Sequence, residues 1–190
     1  MKKEMCTESV SRDKERMLRY KTFAVAFSYP GPELFSVFPE LSAEKEQLSL
    51  EYDRLFRAKK IWLYGVECQA STLPQRANYL SDIMGFYRAF GLEPDGDRPD
   101  SLSSEMEFMY YLIFKKLKAL EEGNTRAAKE NEFVCLDAQK KFFSEHLYPA
   151  ATKIAQAIIS GAARDSFYAD VSREVLDFMK KEKHSLGGKG

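Results

Sequence analysis

Glu105 and Glu107, with His146 farther along the chain, are the side chains best suited by type to move protons. The two glutamates lie two residues apart, so on a helix they point to different faces and cannot form a facing acid–base pair by themselves. Acidic residues in a first helical turn are also favoured by the helix dipole, whatever the function. Ser101, Ser103 and Ser104 offer hydroxyls, but no GxSxG elbow surrounds them, and polar residues at a helix start usually cap it. Three widely spaced cysteines (Cys6, Cys68 and Cys135) imply no disulfide framework. His146 and His184 are far apart, and no CxxC or HxxxH pair exists, so no metal centre is expected. The terminal GGKG lacks a following Ser or Thr and reads as a frayed tail rather than a phosphate loop. Asp95, Asp97 and Asp100 crowd one connection. They are either a solvated loop or a landing site for paired arginines, since carboxylates bind guanidinium bidentately. Trp62 and Tyr64, with Phe56 upstream, are either lids over the core or an exposed cluster for an apolar peptide.

The elements that must position these residues read as helices. From Ser11, the series Met17, Tyr20, Ala24 and Phe27 forms one amphipathic stripe, which Pro30 and Gly31 stop. A short helical turn over 33–38 follows, and Ser42 can cap a second long helix carrying Leu48, Tyr52, Leu55 and Phe56. Residues 60–71 show no durable alternation and are expected to be a loop. Thr72-Leu73-Pro74-Gln75 is a capping box opening a helix with Leu73, Ala77, Leu80, Met84 and Tyr87 inward, ended by Gly91. Residues 92–100 form a linker, after which Asp100 or Ser101 caps a helix carrying Leu102, Met106, Met109, Ile113, Leu117 and Leu120, closed by Gly123-Asn124. A helix from Thr125 to about Leu147 turns Phe133, Leu136, Phe143 and Leu147 inward. Pro149 starts a shorter one with Ile154, Ile158 and Ile159, closed by Gly161, and the last helix carries Phe167, Val171, Val175 and Phe178. No hairpin or internal repeat appears. The expected fold is all-α, a single compact multi-helix domain over 11–183, with an unstructured N-terminus (1–10) and a flexible tail (184–190).

The 190 residues suit one domain, and the 29 basic residues against 29 acidic ones argue against a nucleic-acid partner. With 44% hydrophobic and 31% charged residues the composition is that of an ordinary globular protein, and 14 Phe and 10 Tyr supply a large aromatic store. No apolar run approaches the roughly 18–20 residues that cross a bilayer. The charged N-terminal stretch lacks the apolar core of a signal peptide, so a cytoplasmic location is expected.

Four segments in order resemble the TorD/DmsD/NarJ family of cytoplasmic chaperones that mature molybdenum-containing redox enzymes. Residues 51–56 (EYDRLF) are similar to the family's EYxxLF. Residues 79–91 (YLSDIMGFYRAFG) are similar to its helix ending in FYxxFG. Residues 99–109 (PDSLSSEMEFM) resemble PDHLxxELEFM, and residues 142–149 (FFSEHLYP) resemble FFxxHLxPW. Two departures stand out: Ser101 replaces the histidine of the family's Asp-His pair, and Ala150 replaces a tryptophan.

The resemblance implies a TorD/DmsD-like helical architecture, no enzymatic activity and no cofactor. It implies that the chain binds the twin-arginine leader, or another segment, of a molybdopterin-dependent catalytic subunit until cofactor insertion, before export or membrane attachment. By resemblance Leu55 and Phe56 would give apolar contacts and Tyr52 an amphipathic one. Pro99, Asp100 and Ser101 would form a rim, with Asp100 recognising arginine, supported by Glu105 and Phe108, while His146, Leu147 and Pro149 organise a helix junction. One apolar groove edged by these acids should then join the fifties to position 100. Two alternatives stand beside this reading: a helical enzyme using Glu105, Glu107 and His146, and a delta-type subunit that stays with its redox complex. A monomer and a domain-swapped dimer are both compatible with the sequence.

Overall fold

The computed structural model describes residues 2–93, 98–123 and 125–187. Among them all regular structure is helical, apart from one isolated antiparallel bridge between Tyr64 and Ser101. The order is α1 (Lys2–Ala26), α2 (Pro32–Val37), a 3₁₀ turn (Pro39–Glu44), α3 (Lys45–Tyr52), a π-turn (Asp53–Ala58), α4 (Gly65–Gln69) and α5 (Leu73–Ala89). There follow α6 (Leu102–Glu121), α7 (Arg126–Phe142), a second π-turn (Phe143–Leu147), α8 (Tyr148–Gly161) and α9 (Phe167–Leu186). No helix among the described residues is long and apolar enough to cross a membrane.

Local chemistry sets most of the boundaries. Thr72 and Gln75 form the expected reciprocal capping box of α5. Ser101, Thr125 and Ser166 each accept an amide three residues on, from Ser104, Ala128 and Ala169, which satisfies a donor the helix leaves orphaned. Gly91 and Gly123 take φ of +70° and +87° just past α5 and α6, where a side chain would be strained.

α6 lies at the centre, packed on α1 and on α7, while α8 packs on α9 and α4 rests on α8. Leu102, Met106, Met109, Ile113 and Leu117 are buried on α6 as their spacing predicts, and they join Tyr20, Phe23, Phe142, Ile154 and Val175 in one continuous core. The result is one compact all-helical domain.

Several sequence expectations are corrected by the structure. Residues 60–71 contain the short helix α4 and the bridge to Ser101 rather than a plain loop. Leu73 is 82% exposed and Phe133 70% exposed. On α5 the capping turn stands proud of the bundle and Ile83 and Tyr87 carry the burial; on α7 Cys135, Ala138 and Phe142 do so. Helix covers 2–10 and 184–186, which the sequence reading leaves outside the domain; neither stretch contains Pro or Gly. Asp95, Asp97, Asn124 and the last three residues of the GGKG tail lie outside the described residues.

A buried ionic cluster ties the first and last helices together. Arg16 on α1 donates through Nε and Nη2 to the two carboxylate oxygens of Glu182 on α9, at 2.7 and 2.8 Å, and through Nη1 to Asp13 at 2.7 Å. Tyr20 donates to Glu182, and Lys116 of α6 donates to Asp13. Burial alone would lower the Arg16 pKa, but the hydrogen bond and charge of Glu182 more than offset it and hold the guanidinium above its usual range. Removing one partner leaves the other charged and dry. Glu182→Ala should therefore destabilise the fold by about 3–5 kcal/mol in urea unfolding, far more than Glu174→Ala at the exposed Arg19–Glu174 pair.

Candidate functional site

Three of the four motif segments converge on one aromatic wall. Tyr87 and Phe86, from the end of α5, meet Phe108 of α6 and Phe142 at the end of α7. Ring centroids are 4.8 Å for Tyr87–Phe108, 4.7 Å for Phe108–Phe142 and 5.4 Å for Phe86–Phe142, with the edge-to-face tilts that aromatic quadrupoles prefer. His146, on the second π-turn, extends the wall to Tyr79 at 5.0 Å. A π-turn adds a residue to the helical register and re-aims the side chains on it. Here it turns Phe143, His146 and Leu147 inward, and Pro149 falls in the first turn of α8.

At one end of this wall stands Asp100, fully buried. Arg98 donates to both of its carboxylate oxygens, at 3.0 and 2.9 Å, and the amide of Val66 donates to it at 3.0 Å. The Asp100 carbonyl accepts from Gly65, and the Leu63 carbonyl accepts from Leu102. Arg98 also reaches Glu67 at 3.3 Å and covers the Tyr64 ring at 4.1 Å, while Glu67 binds Arg76. Tyr87 closes the end by donating to the Pro99 carbonyl at 2.7 Å. The arginine that Asp100 holds here is the chain's own Arg98.

Glu105, one turn into α6, has no exposed surface, and neither carboxylate oxygen has a hydrogen-bond partner. Burial pushes its pKa well above the ordinary carboxylate value, and the nearby charge of Asp100 adds to the rise. The hydroxyl of Tyr79 is likewise buried and unpartnered. His146 Nε2 lies 2.7 Å from Asp82 on α5. Burial lowers the His146 pKa, against the pull of Asp82, so the ring is neutral near pH 7 and Nε2–H donates to the carboxylate. Asp82, Glu145 and His146 place ligand-type atoms within 4.8 Å of one another, but the hydrogen bond already accounts for that proximity.

The fourth motif segment forms a separate cluster. Tyr52 stacks edge-on with Phe56 at 4.7 Å and with Tyr29 at 5.2 Å, and Phe56 meets Tyr168 of α9 at 5.3 Å. Leu55 is fully buried and Phe56 nearly so. Among the described residues a cleft of about 660 Å³ lies between α1 and α9; others are lined by Lys21, Glu107 and Tyr111, by Lys115 and Val134, and by Asp82 and His146. None of these four is lined by both Phe56 and Asp100. Phe108, Ser101 and Leu147 are core residues, and Pro99, Pro149 and Tyr52 are half-buried.

The acid–base set for catalysis does not assemble. Glu107 is exposed and bonds Lys21, Glu105 is sealed without a partner, and His146 faces Asp82. The serines are spent on structure: Ser101 caps α6 and donates to Ser104, and Ser103 donates to the Ala24 carbonyl. Sequence reasoning missed Arg98, Glu67, Tyr79 and Asp82. Arg98 carried a signal, a cation two residues before a candidate carboxylate, and Tyr79 and Asp82 lie within the 79–91 segment without having been singled out.

Arg98→Ala strips the buried Asp100 of its bidentate partner and should cost about 1–3 kcal/mol in urea unfolding. Arg98→Lys should recover only part of that, because an ammonium cannot span both oxygens.

Two likenesses to known proteins fit this fold. The family described as nitrate reductase delta subunit matches residues 27–155, which contain all four motif segments. The perchlorate reductase assembly chaperone protein of Dechloromonas aromatica (strain RCB) is 34% identical over 118 residues, 60% of this chain and 49% of that protein. The chain spans about half the length of this curated relative.

Proposed function

The chain belongs to the nitrate reductase delta subunit family, matched over residues 27–155, and on that premise we propose that it is an assembly chaperone for a molybdopterin-dependent reductase rather than an enzyme. It acts in the cytoplasm, holding the unfinished catalytic subunit, by its twin-arginine leader or another segment, until the cofactor is inserted. The observation that carries this reading is the family match across the whole aromatic wall, supported by a relative whose own name is that of a reductase assembly chaperone.

The geometry suits binding better than catalysis. The surface offers large exposed apolar side chains, among them Leu50, Trp62, Leu73 and Phe133, to an incompletely folded partner. Asp100 and Glu67 already hold guanidinium groups in the manner that arginine recognition needs. A client arginine reaches Asp100 by taking the place of Arg98, an exchange of like for like with little net change in ion pairing. Tyr52, Leu55 and Phe56, in their separate cluster, support the fold from the core rather than that contact.

The test is co-expression with such a catalytic subunit, with and without cofactor synthesis, followed by affinity capture on this chain. The cofactor-free subunit should be retained and the loaded one released. Equal retention of both would replace the chaperone reading with that of a permanent delta-type subunit, and retention of neither would overturn both.

A further inference from the structure

Residues 61–71 cross the start of α6 as a strap. Glu67 ties it by ion pairs to Arg76 and Arg98, and Arg98 covers its Tyr64 ring; further attachments are hydrogen bonds to or from its backbone. Leu63 and Gly65 share backbone bonds with Leu102 and Asp100, Val66 donates to the Asp100 carboxylate, and Lys153 donates to the Cys68 carbonyl at 2.8 Å. Beneath it lie Glu105 and the Tyr79 hydroxyl, both buried and both without a hydrogen-bond partner. Contact is direct. A methyl group added at Gly65 would sit 2.9 Å from Glu105 Oε1 and 2.5 Å from the Tyr79 hydroxyl, so a side chain there forces Glu105 or Tyr79 to shift. Solvent is near, because the cleft of about 530 Å³ beside His146 is lined by Tyr79 and by the strap's own Gln69 and Ala70.

We propose that residues 61–71 form a proton-latched strap, which lies shut while Glu105 is protonated and lifts as Glu105 gives its proton to water. Closed, a charged Glu105 would be dry, unpaired and beside the negative Asp100, so the carboxyl must be neutral. Lifted, it is hydrated and ionises in the ordinary carboxylate range. Raising the pH therefore favours the lifted form, by up to tenfold in the opening constant per pH unit, from that range up to the raised value in the closed form.

The titratable groups that interact with Glu105 are Asp100 before α6, Cys68 on α4, and Tyr79 and Tyr87 on α5; next to these lie Arg98, Glu67, His146 on the second π-turn and Lys153 on α8. Arg98 stays charged across the neutral range, the two tyrosines ionise only above it, and Glu67 is held low by Arg76. Burial lifts Cys68 out of that range as well. His146 is the competing titration, and a variant separates it. That admission of a client is what the lifting serves rests on the function proposed above.

Hydrogen exchange on the chain alone, from pH 5.5 to 7.5, tests the latch. The Gly65, Val66 and Leu102 amides report the strap, after correction for intrinsic exchange. Their protection should fall at least tenfold across this range, while core amides of α6 and α9 do not follow. In Glu105→Gln the fall should vanish. In His146→Gln it should persist, and Gly65→Ala should lower strap protection at every pH. Protection that is flat in the wild type, or that still falls in Glu105→Gln, overturns the latch. Should Glu105→Gln not fold, carbon-13 titration of glutamate-labelled wild type decides: one carboxyl titrating well above the rest supports the latch, and none doing so sinks it. No client is needed, so the latch can fail while the chaperone reading stands.

Discussion

A carboxylate taken wholly out of water must find donors, and Asp100 finds them both near and far upstream in the chain. Arg98 supplies two bonds from two residues upstream, and Val66 supplies a third from far upstream. Meeting that demand places residues 61–71 against the start of α6, where the Tyr64–Ser101 bridge and the Leu63–Leu102 bond then form. The position of α4, the burial of Glu105 and the closing bond from Tyr87 to Pro99 all follow. Replace Asp100 by a residue needing no donors and the Val66 amide loses its acceptor and Arg98 its carboxylate, leaving the strap to its backbone bonds, Lys153 and the ion pairs of Glu67.

The helices were legible because their ends carry local chemistry. Thr72 with Gln75, Ser101, Gly91 and Gly123 each meet a backbone need that sequence spacing announces. The apolar stripe of α6 is legible for a related reason: a central helix is buried on a wide face, so its period survives. Leu73 and Phe133 misled because a residue at the right phase is buried only if another element covers that turn. The two π-turns were invisible, since the added residue is selected by packing on both sides and not by propensity. The strap read as a loop because its five-residue helix is held by tertiary bonds to Asp100 and Lys153.

The site was legible as a set of signatures but not as a surface. Tyr87, Phe108, Phe142 and His146 belong to recognisable motifs, and the structure shows why they travel together: they are one interlocked wall. A motif that marks a family can be a rule about packing as easily as a rule about ligands. Leu55, Phe108 and Leu147 illustrate the point, since all are core residues. The partners that set the electrostatics are Arg98 for Asp100, hinted at by its short spacing, and Asp82 for His146, which lies on another helix and which no spacing pairs with it.

The two buried ionic regions of the molecule differ in a way that bears on motion. At the α1–α9 cluster, Glu182 and Asp13 have every carboxylate oxygen engaged, so opening there would break several charge-assisted bonds at once. Beneath the strap the balance runs the other way. Glu105 and Tyr79 have no bonds to lose, and each gains solvation on exposure. Local opening is selected by the difference between what is broken and what is hydrated. Lifting the strap breaks its bonds to Asp100, Arg76, Arg98 and Lys153 but hydrates two groups that have none, and Asp100, with its bound Arg98, lies under it.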